Sequence, residues 1–284
     1  TNKGQISNCS VFGTVEAKTS SNVGGLVGNN ASGAAIKNCT NYASVSANDY
    51  TGGIVGVSAG TLDFCINEGT IVGGSYVGGI AGDISGTADT LENRGDISAS
   101  GNRVGGIFGN ATGETKERKN LATVTSSGDY VGGIVGYSQG SSSGSSNSGN
   151  VNGRYYVGGL FGYINGNISG QINTVTVTGR AYLGGIVGYS TGILTDCENH
   201  GDIVSTGTIT EEGTTRSYLG GLAGYCGGVV DGKNTVNITG TGARVGGLVG
   251  HSTGAISNSQ NDGIITGYNS DGGLGGNVNG AISD

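Results

Sequence analysis

Tyrosines are the side chains of this sequence best suited to ligand binding, because the 13 tyrosines fall largely in two columns of a repeat. The columns stand seven residues apart, on either side of a recurrent glycine pair. The first column, in which arginine twice replaces tyrosine, runs Tyr50, Tyr76, Arg103, Tyr130, Tyr156, Tyr182, Tyr218 and Arg244. The second column runs Tyr137, Tyr163, Tyr189, Tyr225 and His251. A flat ring that carries a hydroxyl group is a usual partner of a sugar face or a protein loop.

Two interpretations of these tyrosines stay open. If the rings face outward, they form a stacked aromatic stripe to which a host or environmental glycan or a surface protein could bind. The residues expected to bind that ligand are then Tyr130, Tyr137, Tyr156, Tyr163, Tyr182, Tyr189, Tyr218 and Tyr225. In the alternative, neighbouring identical tyrosines on a β-ladder stabilise one another without any ligand.

Titratable side chains are few, and the best candidate for a catalytic or metal-binding cluster lies at residues 196–202, where His200, Cys197 and acids are close in sequence, near Glu211 and Glu212. Alternation along a strand turns the carboxylates and His200 outward and Cys197 inward. This pattern favours a solvated turn over a cation site or a nucleophile with its base. We therefore expect no catalytic residue, no metal site, no cofactor and no enzymatic activity.

Four of the five cysteines share one column of the repeat. Vertical neighbours in a parallel ladder rarely have disulfide geometry, so we interpret the column as free thiols packed as small hydrophobic residues. Metal binding is not indicated, because no histidine occurs in the column and its spacing is that of the repeat. The four residues are Cys9, Cys39, Cys65 and Cys197.

The elements that must position these side chains follow from the repeat itself. A glycine pair followed by an aliphatic residue recurs ten times, at intervals of 26 to 28 residues with one interval of 36. The long interval contains an insertion at about 206–217. The first glycines of the pairs are Gly24, Gly52, Gly78, Gly105, Gly132, Gly158, Gly184, Gly220, Gly246 and Gly272.

Three columns of mainly apolar residues run through the repeat. The residue after each glycine pair is always Leu or Ile, from Leu26 to Leu274. A second column, from Val15 to Ile265, is β-branched throughout, as a half-buried strand prefers. A third column is apolar in eight units and polar in the fifth and sixth, where it holds Thr115 and Ser142.

These columns predict an all-β fold, a right-handed parallel β-solenoid of about ten coils with three short strands in each coil. The whole chain, 1–284, is then one repeat domain. An asparagine recurs once per unit from Asn41 to Asn261 and is expected to form a ladder at a corner. Asparagine suits a corner because it tolerates the left-handed conformation, and its amide can bond its own turn and the next coil. Unit five departs from the pattern, because the polar run 114–119 replaces the usual apolar strand.

The glycine pentads resemble the GLUG repeat, which is named for Gly-Leu-any-Gly. The clearest are Gly-Gly-Leu-Val-Gly at 24–28 and 246–250 and Gly-Gly-Ile-Val-Gly at 52–56, 132–136 and 184–188. The GLUG repeat occurs in large secreted and surface-anchored bacterial proteins, including adhesin-like proteins and non-catalytic parts of some immunoglobulin A metallopeptidases. The resemblance implies an extracellular bacterial location and a scaffold or adhesive role, and it supplies no catalytic residues.

Composition excludes several classes of partner. The net charge of -7 has the wrong sign for nucleic-acid binding, and no apolar run is long enough for a membrane helix. Both ends of the chain fall at the same phase of the repeat, so we expect further coils to flank it in a longer protein, or copies to associate end to end. The sequence therefore predicts a secreted or cell-surface scaffold, stalk or adhesin segment. The alternatives are a self-assembling extracellular filament subunit and a carbohydrate-active β-helix enzyme, which would need a cleft of converging acids.

Overall fold

The computed structural model describes residues 1–211, 214–240 and 244–284. In these ranges the chain consists of short β-strands joined by turns and bends, and it contains no helix. The strands form five parallel sheets, and successive strands of each sheet come from successive coils of about 26 residues. The prediction of a parallel β-solenoid of about ten coils is confirmed.

The first sheet holds the asparagine column and, in the first four coils, the third apolar column as well. Its twelve strands are Gln5–Ser7, Ser10–Val11, Ala35–Lys37, Thr40–Asn41, Thr61–Asn67, Ala88–Asn93, Arg118–Asn120, Ser146–Asn147, Ile172–Asn173, Glu198–Asn199, Lys233–Asn234 and Gln260–Asn261. The second sheet holds the β-branched column. Its ten strands are Thr14–Ala17, Ser44–Ala47, Ile71–Gly73, Ile97–Ala99, Val124–Ser126, Val151–Asn152, Val177–Gly179, Ile203–Ser205, Ile238–Thr239 and Ile265–Thr266.

The third sheet ends on the first glycine of each pair. Its ten strands are Val23–Gly24, Thr51–Gly52, Val77–Gly78, Val104–Gly105, Val131–Gly132, Tyr155–Gly158, Ala181–Gly184, Tyr218–Gly220, Arg244–Gly246 and Asp271–Gly272. The fourth sheet follows the aliphatic residue of the pentad. Its ten strands are Val27–Asn30, Val55–Ser58, Ala81–Ile84, Phe108–Ala111, Val135–Ser138, Phe161–Ile164, Val187–Ser190, Ala223–Cys226, Val249–Ser252 and Gly275–Val278.

The fifth sheet continues the third apolar column from the fifth coil onward. Its seven strands are Thr115–Lys116, Ser142–Ser143, Ile168–Ser169, Ile193–Thr195, Gly228–Val230, Ile256–Ser257 and Ile282–Ser283. The insertion adds an antiparallel pair, Ile209–Glu211 with Thr214–Arg216. Of the two glutamates expected near the acidic cluster, Glu212 lies outside the described residues.

The register of stacking is the one that the columns predict. Gly24 pairs with Gly52, and the pairing of first glycines continues coil by coil to Gly246 with Gly272. In the aliphatic column, the backbone N–H of Leu26 donates to the carbonyl oxygen of Ile54 at 3.1 Å. Each residue therefore lies directly over the residue at the equivalent position of the next coil.

A coil contains four or five short strands instead of three. The glycine pentad bends between the third and fourth sheets, so one expected strand becomes two. A residue with positive φ divides the third apolar column from the asparagine strand, as at Asn38 (φ 52°) and Asp196 (φ 52°). Strands of two to four residues dominate, and single residues with positive φ lie at some of the turns between them.

The interior is divided into two parallel columns of apolar side chains. One column contains the fully buried Leu and Ile residues that follow the glycine pairs, such as Ile134. The other contains the β-branched residues of the second sheet and the valines of the third, such as Val124 and Val131. The asparagine ladder lies against the glycine pairs: a Cβ atom placed on Gly53 would overlap the Asn67 amide.

The asparagine ladder is nearly continuous along the solenoid. The Nδ2 atom of Asn41 donates to Ala43 O at 2.8 Å and to Asn67 Oδ1 at 2.8 Å, and most later coils repeat both bonds. Bonding within the turn and to the next coil is thus confirmed. The conformational reason for asparagine was wrong: the ladder residues lie in extended strands, and the left-handed residues are others, such as Asn38. Asparagine recurs because its buried amide completes hydrogen bonds between coils.

Glycine recurs in the pentad because backbones approach too closely there for any side chain. At Gly133 an added Cβ would overlap Asn147 Nδ2 and Gly159 O, both in the next coil. At Gly162, the last glycine of its pentad, it would meet the backbone of Tyr130 and Val131 at 2.5 Å. The last glycine therefore permits the fourth sheet to pass against the backbone that carries the first tyrosine column.

We predict that Gly133→Ala destabilises the protein by about 3 kcal/mol or more, because the added methyl group overlaps backbone that cannot move independently of the ladder. Gly113→Ala is the matched control, since nothing lies within 4 Å of its Cβ position. The control should change stability by less than about 0.5 kcal/mol. Urea unfolding followed by circular dichroism measures both values, and equal effects would contradict the close-packing explanation.

We also predict that Ile134→Ala destabilises the protein by about 2–5 kcal/mol, because Ile134 is fully buried and touches its counterparts in both adjacent coils. The control is Ile172→Ala, since Ile172 is 51% exposed. The same unfolding experiment should show a change below about 1 kcal/mol for the control. A small effect at both positions would mean that the aliphatic column does not form the core.

Candidate functional site

The eight tyrosines expected to bind a ligand lie together along one corner of the solenoid. The first tyrosine ladder lies just before the strands of the third sheet or in their first two residues and comprises Tyr130, Tyr156, Tyr182 and Tyr218. The second tyrosine ladder lies in the fourth sheet and comprises Tyr137, Tyr163, Tyr189 and Tyr225. Because the two sheets meet at the bend of the glycine pentad, the two ladders run side by side.

Positive φ angles set the position of the first ladder. Tyr130, Tyr156 and Tyr182 have φ of 59°, 55° and 53°, and Tyr50 and Tyr76 of the earlier coils have 53° and 57°. The left-handed region costs a residue with a side chain roughly 1–2 kcal/mol. The conformation recurs at this position in successive coils from Asn22 to Tyr182, and the stacking of the tyrosine rings offsets part of its cost.

Within each ladder the rings stack on one another, and only the pair of Tyr182 and Tyr218 is tilted. In the second ladder, ring centres are 4.5, 5.2 and 4.4 Å apart, with interplanar angles of 3°, 8° and 2°. In the first ladder the distances are 4.8, 4.5 and 4.6 Å, with angles of 6°, 21° and 35°. Edge-to-face contacts join the ladders, as between Tyr130 and Tyr137 at 5.7 Å and 80°. Such pairs contribute about 0.5–1.5 kcal/mol each beyond the area that they bury.

Stacking limits what a ligand can reach. Tyr182 and Tyr218 are only 7% and 8% exposed, whereas the other six tyrosines are half-buried. The ring faces inside each ladder are covered by the rings above and below, so a sugar ring has no free face to stack on there. The accessible parts of the corner are ring edges and hydroxyl groups.

An arginine stands at each end of this corner. The guanidinium carbon of Arg103 lies 4.3 Å from the ring centre of Tyr137 and 5.0 Å from that of Tyr76. At the other end, Arg244 lies 5.1 Å from the ring centre of Tyr218, and its Nη1 donates to the Tyr218 hydroxyl at 3.3 Å. Both arginines stand in the first tyrosine column, so their position at the corner was predictable from the sequence. Their contacts with the rings depend on the direction of each side chain, which the sequence does not give.

Burial and neighbouring charge alter the acidity of groups along the corner. Burial raises the pKa of Tyr189 to about 12, and the adjacent Tyr225 adds to the effect. Burial likewise raises the pKa of Tyr130 and of Tyr163. Burial, followed by the charge of Arg244, lowers the pKa of His251. Neutral phenols can both donate and accept hydrogen bonds, which suits them to hydroxyl-rich ligands.

The cluster at residues 196–202 does not assemble a nucleophile with its base. Cys197 is fully buried, and burial raises its thiol pKa to about 12. His200 points outward, with Nε2 at 2.8 Å from Glu198 Oε2 and Nδ1 at 2.8 Å from Thr235 Oγ1. The alternation predicted for this segment is confirmed for these side chains. In the described part of the chain, no three His, Cys, Asp or Glu side chains group closely enough to hold a metal ion.

Sequence reasoning missed one buried charge. Arg118 occupies the inward column of the cysteines, where it pairs with Leu91 of the preceding coil, and it is 3% exposed. The signal was present in the polar run 114–119, but a run of charges on a strand is more often a solvated surface. Arg118 could have been identified as buried from its place in the cysteine column, whose side chains point inward.

We predict that Tyr189 titrates near pH 12 in the folded protein, above the value of 10.0 for a free tyrosine. Because its pKa is raised in the folded state, the associated stability is complete below pH 10 and is lost as pH rises toward 12. The ultraviolet absorbance of tyrosinate, recorded as the difference between wild type and Tyr189→Phe, measures the step. A difference step near pH 10 in the folded protein would show that Tyr189 is not buried in the ladder.

The comparisons with known proteins agree with the repeat. A family model described as the GLUG motif matches residues 19–46, which contain the first complete pentad, 24–28. No curated protein and no solved structure matches the chain. Among the described residues, no helix has the length and hydropathy that a membrane crossing requires. The chain carries the GLUG motif, and the resemblance of its glycine pentads to that repeat is confirmed.

Proposed function

We propose that this protein is a non-enzymatic scaffold, a stalk or adhesin segment of a secreted or surface-exposed bacterial protein, which contacts a glycan or a protein through the tyrosine corner. The GLUG motif and the β-solenoid fold support the scaffold role, since about ten coils at roughly 4.8 Å form a rod about 48 Å long. The bacterial extracellular location rests on the resemblance to GLUG proteins.

The observation that carries the binding proposal is the pair of stacked tyrosine ladders. Each coil from the fifth to the eighth contributes one phenol to each ladder, so hydroxyl groups recur at the spacing of the coils. A ligand that runs along the rod and offers regularly spaced hydroxyl or carbonyl groups could bond successive phenols. A polysaccharide chain and an extended peptide both have this character.

Rigidity supports the same proposal. The rings are held by their neighbours before any ligand arrives, so binding would immobilise few side chains. Tyr137, Tyr163 and Tyr189 are half-buried and lie at matching positions of successive strands of the fourth sheet, so they face the same side of the rod. Recognition would depend on hydroxyl groups more than on ring faces, which the stacking already covers.

We predict that a double variant, Tyr163→Phe with Tyr189→Phe, binds its glycan about tenfold or more weakly than wild type, because two ligand hydrogen bonds are lost while the stacked rings remain. A glycan array first identifies the ligand, and surface plasmon resonance then measures Kd. The matched control is Tyr42→Phe, since Tyr42 is 48% exposed and stacks on Phe12 at 4.9 Å, away from the corner.

Retained affinity in the double variant, or the same loss in the control, would contradict binding through the corner. A wild-type protein that binds nothing on the array, and no extended peptide in a parallel peptide array, would leave the ladders with a purely structural role. Thermal unfolding of each variant verifies that the Phe substitutions preserve the fold.

A further inference from the structure

The junction between the fourth and fifth coils contains a buried cation without an anionic partner. Arg118 is 3% exposed, and its Nη2 donates to the backbone carbonyl of Ala88 at 2.5 Å. Its Nε has no hydrogen-bond partner, and Arg118 forms no ion pair among the described residues. Burial lowers its pKa, with only partial compensation by the charges of Asp89 and Glu117. Arginine nevertheless stays protonated in proteins, so its charge remains.

A cavity of about 280 Å³ lies beside this charge. It occurs where the strand pairing changes: Ala88 belongs to the first sheet and Thr115 opens the fifth, and no described pair joins them. Ala88 and Thr115, which line the space, are smaller than the Ile, Leu and Val that most other coils have in this column, and Ser142 follows in the next coil. The lining residues that matter here are Ile84, Ala88, Phe108, Ala111 and Thr115.

The lining is mixed in polarity: beside its apolar side chains it includes Thr87, Thr115 and Glu114, and the Glu114 carboxylate is paired with Lys116 at 3.0 Å. Thr115 lines the cavity, is 1% exposed, and its Oγ1 has no hydrogen-bond partner. The guanidinium of Arg118 lies just behind the lining: its Nη2 bonds Ala88, and its central carbon is 6.0 Å from the ring centre of Phe108. A buried donor without a partner and a buried cation without an acid in contact are both costly, and both lie at the same cavity.

We propose that this cavity binds a small organic carboxylate. The carboxylate would accept a hydrogen bond from Thr115 Oγ1 and balance the charge of Arg118, while a short hydrocarbon tail would lie against Ile84, Phe108 and Ala111. Ligand sites of this size commonly combine an apolar lining with a few fixed polar groups. The site is separate from the tyrosine corner, so the two proposals can fail independently.

The test is thermal unfolding and calorimetric titration of the full 284-residue chain with sodium butyrate at constant ionic strength. The expected result is saturable binding, with a rise in Tm of about 2 °C at ten times Kd. Butyramide, which has the same shape without the charge, should give no saturable rise. Acetate and hexanoate, tested in parallel, report how much of the apolar lining the tail contacts.

Variants separate the site from a general salt effect. Arg118→Leu places the residue type of Leu91 in the same inward column, and it should abolish butyrate binding while raising Tm in the absence of ligand. Ala111→Leu should abolish binding by filling the cavity and retains Arg118. Arg94→Leu is the matched control, because Arg94 is an exposed arginine paired with Glu68 and Glu92, and it should keep wild-type affinity.

Absence of saturable binding to wild type across the three carboxylates would overturn the proposal. So would butyrate binding that survives in both Arg118→Leu and Ala111→Leu. If Arg118→Leu does not fold, the decision rests on the wild-type titration, on butyramide and on Ala111→Leu, which leave the guanidinium in place.

Discussion

Every coil of this solenoid lies directly on another coil of nearly the same sequence, so each side chain must pack against the equivalent side chain of the neighbouring coil. This constraint explains the composition better than any single contact does. Where two backbones meet, as at the glycine pairs, a side chain has no room. Where a buried polar group recurs, it must bond its copy above and below, and the asparagine amide does so. Where rings recur, they stack.

The same constraint governs charge. Identical charges placed one above another repel, so a column can repeat tyrosine but not arginine. Arg103 and Arg244 accordingly occur singly in the tyrosine column, next to rings. Arg94 lies between Glu68 and Glu92, which satisfies its charge on the surface. Arg118 is the exception, because its side chain points inward and no acid is in contact with it. It lies at the junction where the third apolar column passes from the first sheet to the fifth.

Much of the fold was predictable because stacking in register turns spacing into contact. The sequence predicted which residues pair between coils, because the glycine pairs and the β-branched column from Val15 to Ile265 recur once per coil. The number of strands was not predictable, because single left-handed residues such as Asn38 and Asp196 divide a coil, and asparagine, tyrosine, phenylalanine and aspartate all take that conformation here. The right-handed winding stays a prediction. For the site, the columns placed all eight tyrosines on one corner, but which ring surfaces remain accessible depends on χ angles that spacing does not report.

The asparagine ladder also gives the rod an electrical direction. From Asn41 to Asn147 each side-chain amide donates toward the following coil, and from Asn173 to Asn261 the donation runs the same way. Only at Asn147 does the Nδ2 atom turn instead to the carbonyl of Gly159. Amide dipoles aligned head to tail polarise one another, so the positive ends of both runs point toward the C-terminal coil. The two ends of the molecule therefore differ electrostatically even where their residues are the same.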